Sequence, residues 1–326
     1  MMTNKQIISK LKEAKNIAIF SHRAPDPDAC GSMFGLREFC CAIGQNNVDV
    51  FAMKSAEKKY LDYIFPLDEV KENFVASDYD LVVLVDIHRT DRVEEMFKTE
   101  LAKCENVLVI DHHIIDEKEN FTFKNYRDEI VASCSQMMID LYKAAEITPT
   151  ADAATYIYAG LMGDTDRFLH SNVDKKVFEC AIYLLEAGAK IQHVYNYLYS
   201  FKTHKQLELN KFFLKNLRFI ADGRCGFIVI SEKDKKWLGI SEDDIKSFSN
   251  EIVRIKDVDL SFLCYEKRKG TFKVSLRSLG DINLVNFSVK MGGGGHVNAS
   301  GFDISGMTAK KIKKSIPFWA EEILNG

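Results

Sequence analysis

The sequence predicts an α/β protein in two parts, a parallel-sheet N-terminal domain joined by a helical connector to a smaller α/β domain. Three observations predict it. The chain opens as strand, helix, strand. Two later runs, Asp80-Leu81-Val82-Val83-Leu84-Val85 and Asn106-Val107-Leu108-Val109-Ile110, have the near-continuous hydrophobicity of strands buried on both faces. From about residue 218 the pattern changes to short strands and turns. At 326 residues the chain is too long for one typical core and fits two domains.

Residues 5–14 read as a short amphipathic helix, and Asn16-Ile17-Ala18-Ile19-Phe20 as the first buried strand. It runs into Ser21-His22-Arg23-Ala24-Pro25-Asp26-Pro27-Asp28, read as a loop stiffened by two prolines. Residues 33–43 read as a helix stopped at Gly44, and Val48-Asp49-Val50-Phe51-Ala52 as the second strand. The two apolar runs end in Asp86-Ile87-His88-Arg89 and Asp111-His112-His113. Helices follow over 134–146, 151–162, 174–187 and roughly 190–217, the second leading into Gly163-Asp164-Thr165-Asp166. Strands are then expected over 226–230, 260–265 and 271–277. The expected boundaries are 1–189, a connector 190–217, and 218–326.

Composition is that of an ordinary globular chain, with 46% hydrophobic and 28% charged residues. A net charge of -3 argues against gripping long duplex nucleic acid, which requires many phosphates neutralised by cations. A short anionic ligand remains compatible, since a local cluster of cations or metals can hold it. The N-terminus shows no secretory pattern and no apolar stretch approaches a membrane span. Eight scattered cysteines without a CxxC pair suit reduced thiols in a cytoplasm.

Three strands thus end in acids or imidazoles, and an open α/β sheet gathers such groups outside its carboxyl edge. Any one of these ends could be an ordinary turn or helix cap, but four such coincidences in one chain is a poor account. The pooled set is His22, Asp26, Asp28, Asp86, His112 and Asp164, with His113 and Asp111 adjacent. Carboxylates with a few imidazoles and no thiolate suit hard or borderline divalent ions, manganese ahead of zinc. One ion takes about three or four protein ligands, so six point to two ions. The assignment is His22, Asp26 and Asp86 on one ion, with Asp28, Asp86, His112 and Asp164 on the other. Two ions roughly 3.5–4 Å apart would lower the pKa of a bridging water and clamp a phosphoryl oxygen.

In order and spacing, His22-Arg23-Ala24-Pro25-Asp26-Pro27-Asp28, Asp86, Asp111-His112-His113 and Gly163-Asp164-Thr165 resemble the four motifs of the DHH phosphoesterases. The resemblance implies a hydrolase with two divalent ions, manganese first and magnesium or cobalt as substitutes, with His113 contacting substrate phosphate. It makes Asp86, His112 and His113 the catalytic residues. One departure is Asp166, where the fourth motif usually has glycine.

The run Met291-Gly292-Gly293-Gly294-Gly295-His296 lets backbone N–H groups crowd around an anion. With Val274-Ser275-Leu276-Arg277-Ser278 it resembles the DHHA1 domain of one branch of that family. On that resemblance Arg277, Gly293, Gly294 and His296 hold the nucleotide. The implied activity is hydrolysis of short oligoribonucleotides or linear dinucleotides to mononucleotides, and removal of the 3′-phosphate from adenosine 3′,5′-bisphosphate. A homodimer is also expected. The competing readings are a pyrophosphatase or polyphosphatase, a RecJ-like single-strand DNA exonuclease, and a nucleotide-binding module without catalysis. Arg89, Arg92 and Arg167 lie beside motif residues and could bind phosphate, although arginines near acids are more often plain ion-pair partners.

Overall fold

A computed structural model describes residues 2–52, 61–89, 92–113, 125–128, 131–246 and 248–325. The chain divides into two compact units, Met1–Phe201 and Lys202–Gly326.

The first unit runs α1 (Asn4–Glu13), β1 (Ile17–Phe20), α2 (Pro27–Ala42), β2 (Val48–Phe51), β3 (Leu81–Val85), α3 (Glu95–Leu101), β4 (Val107–Asp111), β5 (Asn125–Asp128), α4 (Cys134–Ala144), α5 (Ala151–Asp164), α6 (Lys175–Glu186) and α7 (Ile191–Tyr195). Its strands form one parallel sheet in the order β2-β1-β3-β4-β5. Successive side chains alternate faces, so each apolar strand feeds two cores. Ile17, Ile19, Val83 and Ile110 pack with α2, α4 and α5. Ala18, Phe20, Leu84 and Val109 pack on the other face with Phe51, Phe74 and Phe97. With this order the chain leaves β1 for one side and returns on the other. The switch point, where such sheets form their ligand crevice, falls between the ends of β1 and β3.

The proline loop is shorter than the sequence suggested. Helix α2 starts at Pro27, with Asp26 as N-cap accepting from the Asp28 and Ala29 amides at 3.0 Å. An aspartate followed by proline at the first helical position is a strong helix start, and it overrides the turn reading of Asp-Pro. Asp28 therefore belongs to the first turn of a buried helix. Helices α2, α4 and α5 approach closely because Gly160 has no side chain: a Cβ there would lie 1.9 Å from Ser135 Oγ and 2.9 Å from Asp28 Oδ1.

The expected helix over 190–217 is not continuous. After α7 the chain makes a π-turn over Asn196–Ser200 and extends at Phe201 before α8 (His204–Asn216) starts on its N-cap Thr203, with Gln206 completing a capping box. The second unit continues β6 (Arg218–Ile220), β7 (Cys225–Ile230), α9 (Glu232–Leu238), α10 (Glu242–Lys246), α11 (Ser249–Val253), β8 (Leu260–Arg268), β9 (Thr271–Ser278), α12 (Val285–Lys290), β10 (Gly294–His296), β11 (Ala299–Ser305) and α13 (Ala309–Asn325). Its six-stranded sheet has the order β10-β11-β9-β8-β7-β6, antiparallel except for the β7–β8 pair. Among the described residues no helix is long and apolar enough to cross a membrane.

Candidate metal centre

Five segment ends of the first unit converge at the carboxyl edge of the sheet. The exit of β1 delivers His22 and Asp26, the start of α2 delivers Asp28, β3 delivers Asp86, β4 delivers Asp111, His112 and His113, and the last residue of α5 is Asp164. Asp86 lies in the left-handed region at φ 56°, which turns the chain sharply off the strand. Its carboxylate faces both neighbours: Oδ2 lies 3.5 Å from His22 Nε2, and Oδ1 lies 3.4 Å from His112 Nε2 and 3.7 Å from His113 Nδ1. His22 Nε2 is also 3.8 Å from Asp26 Oδ2, and His112 Nε2 is 3.2 Å from Asp164 Oδ2 and 3.8 Å from Asp28 Oδ2. His22, Asp26 and Asp86 form one grouping able to hold a cation, Asp28, His112 and Asp164 another, and Asp86, His112 and His113 a third.

Both inward imidazoles are set to present Nε2. His22 Nδ1 lies 3.0 Å from the Arg23 carbonyl and His112 Nδ1 lies 3.1 Å from that of Val131. A carbonyl only accepts, so each Nδ1 carries the proton and Nε2 faces the carboxylates. Asp86 Oδ1 and His112 Nε2 are buried with no hydrogen-bond partner among the described residues. Two such atoms facing each other at 3.4 Å, ringed by carboxylates, fit a divalent cation.

The electrostatics agree. Burial disfavours charge on His22, but the Asp26 and Asp86 carboxylates outweigh it and push the imidazole up to about 10. Burial likewise opposes charge on His112, and Asp164, Asp86 and Asp28 push it up to about 11. Asp28 is held well above the usual carboxylate range by burial and then by the charges of Asp86 and Asp164. Excess negative charge is therefore concentrated where protons stand in for cations. Asp28 is also fixed structurally, because Cys134 and Ser135, the first amides of α4, donate to its two oxygens at 2.7 and 2.9 Å.

One group at this edge was quoted in the sequence without a role. His88 is buried, and its Nδ1 donates to Asp111 Oδ2 at 2.5 Å. The other oxygen, Oδ1, accepts from His113 Nδ1 at 2.8 Å and from the His112 amide at 2.8 Å. Fully buried Asp111 thus ties two imidazoles together and turns His113 so that Nε2 points away from it. Burial alone would raise Asp111, yet His113 and His88 hold it below the usual range. The spacing Asp86-x-His88, two residues apart on a strand exit, was the available signal.

Two of the second-unit candidates, Arg277 and His296, lie on one face of its sheet. Across the ladders His296 is opposite Ala299, Ala299 opposite Arg277, and Arg277 opposite Ser261. Opposite residues in antiparallel pairs point to the same side, so Arg277 and His296 flank Ala299 about 10 Å apart, two strand spacings. Arg277 Nε donates to Asn250 Oδ1 at 2.9 Å. Gly293 precedes β10, and a Cβ on it would lie 2.1 Å from the Gly301 carbonyl; Gly294 begins the strand with open space around it.

Comparison with known proteins defines the class. Residues 16–161 match the DHH family, N-terminal domain, and residues 232–322 match the DHHA1 domain. The chain therefore carries a DHH-family N-terminal domain followed by a DHHA1 domain. It is similar to the bifunctional oligoribonuclease and PAP phosphatase NrnA of Mycoplasma genitalium, 29% identical over 308 residues and covering 91% of each chain. The protein of the same name from Bacillus subtilis is 26% identical and covers 92% of each. The crystal structure of an exopolyphosphatase-related protein from Bacteroides fragilis superposes with a TM-score of 0.80 at 23% identity, over 98% of this chain and 97% of that one, and shows the same fold.

Proposed function

We propose that this chain is a two-metal phosphoesterase that hydrolyses short oligoribonucleotides or linear dinucleotides to mononucleotides and removes the 3′-phosphate of adenosine 3′,5′-bisphosphate. The observation that carries it is the pair of orphaned buried atoms, Asp86 Oδ1 and His112 Nε2, at the meeting point of two cation groupings. The names of the Mycoplasma and Bacillus relatives, matched over nine-tenths of the chain, support the substrate class.

In this reading His22, Asp26 and Asp86 hold one ion, and Asp28, Asp86, His112 and Asp164 the other, with manganese as the ion and magnesium or cobalt as substitutes. When bound, such a pair acidifies a water and neutralises charge on the phosphoryl group. The protein's own groups do the rest. Asp111 anchors His113, whose Nε2 donates to a phosphate oxygen. His22 and His112 are oriented through their carbonyl partners, so each Nε2 would be presented to a cation once its proton is lost. Arg277, Gly293, Gly294 and His296 hold the nucleotide. Eight free cysteines, six of them buried, accord with a reducing cytoplasm, and a homodimer is part of the proposal.

The test offers the protein with Mn²⁺ a linear dinucleotide, adenosine 3′,5′-bisphosphate and pyrophosphate, following mononucleotide and phosphate release. Turnover of the first two supports the reading. Preference for pyrophosphate, or no turnover with metal bound, overturns it.

A further inference from the structure

Two residues after Asp164 the backbone does something unusual. Asp166, Arg167 and Phe168 lie in succession in the left-handed region, at φ 41°, 64° and 64°. Non-glycine residues rarely adopt that conformation, and a run of three persists only where surrounding contacts hold it. Those contacts are present. Arg167 N donates to the Met162 carbonyl at 3.1 Å, Phe168 N to Thr165 Oγ1 at 3.2 Å, and the Phe168 ring stacks on Phe178 at 5.4 Å.

The turn fixes one side chain in particular. Arg167 Nε and Nη2 both donate to Asp166 Oδ1, at 3.1 and 2.8 Å, and the guanidinium carbon sits 4.9 Å from the centre of the Tyr199 ring. Tyr199 is itself anchored, its hydroxyl donating to the Met162 carbonyl at 2.7 Å. These two bonds use two of the five guanidinium N–H groups, and the other three have no partner among the described residues. The side chain is one third exposed, at 33%. A plain surface ion pair needs neither a left-handed turn nor an aromatic ring beneath it. A guanidinium held from two sides, with N–H groups to spare among the described residues, is prearranged for the paired oxygens of a phosphoryl group.

We propose that Arg167 is a substrate-phosphate contact beside the metal centre, and that Asp166 is a positioning residue that acts through it. This rests on the phosphoester reading and adds to it the group on the metal-binding unit that selects anionic substrates. It also gives Asp166 a use: where the resembled motif has glycine, the aspartate accepts the left-handed backbone and anchors the next side chain.

The test uses the full chain with Mn²⁺ and measures adenosine 5′-monophosphate binding by calorimetry, alongside dinucleotide turnover. Arg167→Ala is expected to weaken binding by about tenfold or more, the size of a lost charge-assisted hydrogen bond, and Arg167→Lys to recover little. Asp166→Ala is expected to weaken it less, and the double variant no more than Arg167→Ala alone. Asp166→Gly, which suits the left-handed turn, repeats the Asp166 measurement if the alanine variant folds poorly. Unchanged affinity in Arg167→Ala overturns the proposal, as does a loss of manganese affinity in that variant by electron paramagnetic resonance. Additive losses overturn the positioning role of Asp166. If the wild type turns over no phosphoester while Arg167→Ala still loses monophosphate, the phosphoester reading falls and the Arg167 contact stands.

Discussion

Loading the centre with divalent cations is expected to expel protons, and the structure sets the size of the effect. In the metal-free chain the surrounding carboxylates push His22 up to about 10 and His112 up to about 11. At pH 7.5 both Nε2 atoms are therefore protonated, and freeing them costs about 3 and about 5 kcal/mol, at 1.36 kcal/mol per pH unit. Each cation must meet that cost, so apparent affinity at each site should rise about tenfold per pH unit between pH 6 and 9. Calorimetric titration with Mn²⁺ in buffers of different ionisation enthalpy counts the protons, and about one per ion or more is expected. Asp28, itself held high, adds to the release. Binding that releases no protons and shows no pH slope would refute the placement of these imidazoles among the carboxylates. The same shifts set a stability window. A raised imidazole pKa stabilises the metal-free fold in full below about pH 6.5, the unfolded value, and that contribution is lost as the pH climbs through about 10 and 11. Thermal melting in chelator across that range reads it directly.

Three further outcomes are expected. Asp86→Asn should keep the fold by circular dichroism yet lower turnover by roughly 100-fold or more, above what an outer partner of a ligand typically costs, because Asp86 belongs to two of the three cation groupings; near-normal turnover would contradict a shared carboxylate. His88→Ala should destabilise the first unit by about 1–3 kcal/mol in urea melts, since Asp111 Oδ2 is left buried without its donor. His88→Gln should restore part of that, and an unmoved alanine midpoint would show the contact to be idle. Gly293→Ala should cost about 1–3 kcal/mol through the clash with the Gly301 carbonyl and abolish nucleotide binding while manganese binding is kept, two calorimetric titrations that separate the units.

Much of the first unit could be read directly from residues. The apolar runs ending at Phe20, Val85 and Ile110 are β1, β3 and β4 to within a residue, because unbroken β-branched stretches have few other stable uses. The start of α2 was misplaced although its signal was present. Asp26-Pro27 suits both a turn and a helix N-terminus, and only the apolar surroundings of Ala29, Cys30 and Met33 decide for the helix. The break at Phe201 carries no glycine or proline and was not legible.

The sequence by itself determined which residues end each element: acids and imidazoles sit where apolar runs stop, and four glycines precede His296. Those are local facts, set by propensity and pattern over a few residues. Only the tertiary structure decided the strand order β2-β1-β3-β4-β5, and with it that Asp86 leaves the sheet between the exits that carry His22 and His112. It likewise decided that His88 meets Asp111, that Arg277 and His296 share a face, and that Arg167 lies over Tyr199. Each of these joins residues whose pairing depends on sheet order, register or helix packing, which are fixed by the burial of whole faces and not by the neighbours of any one residue.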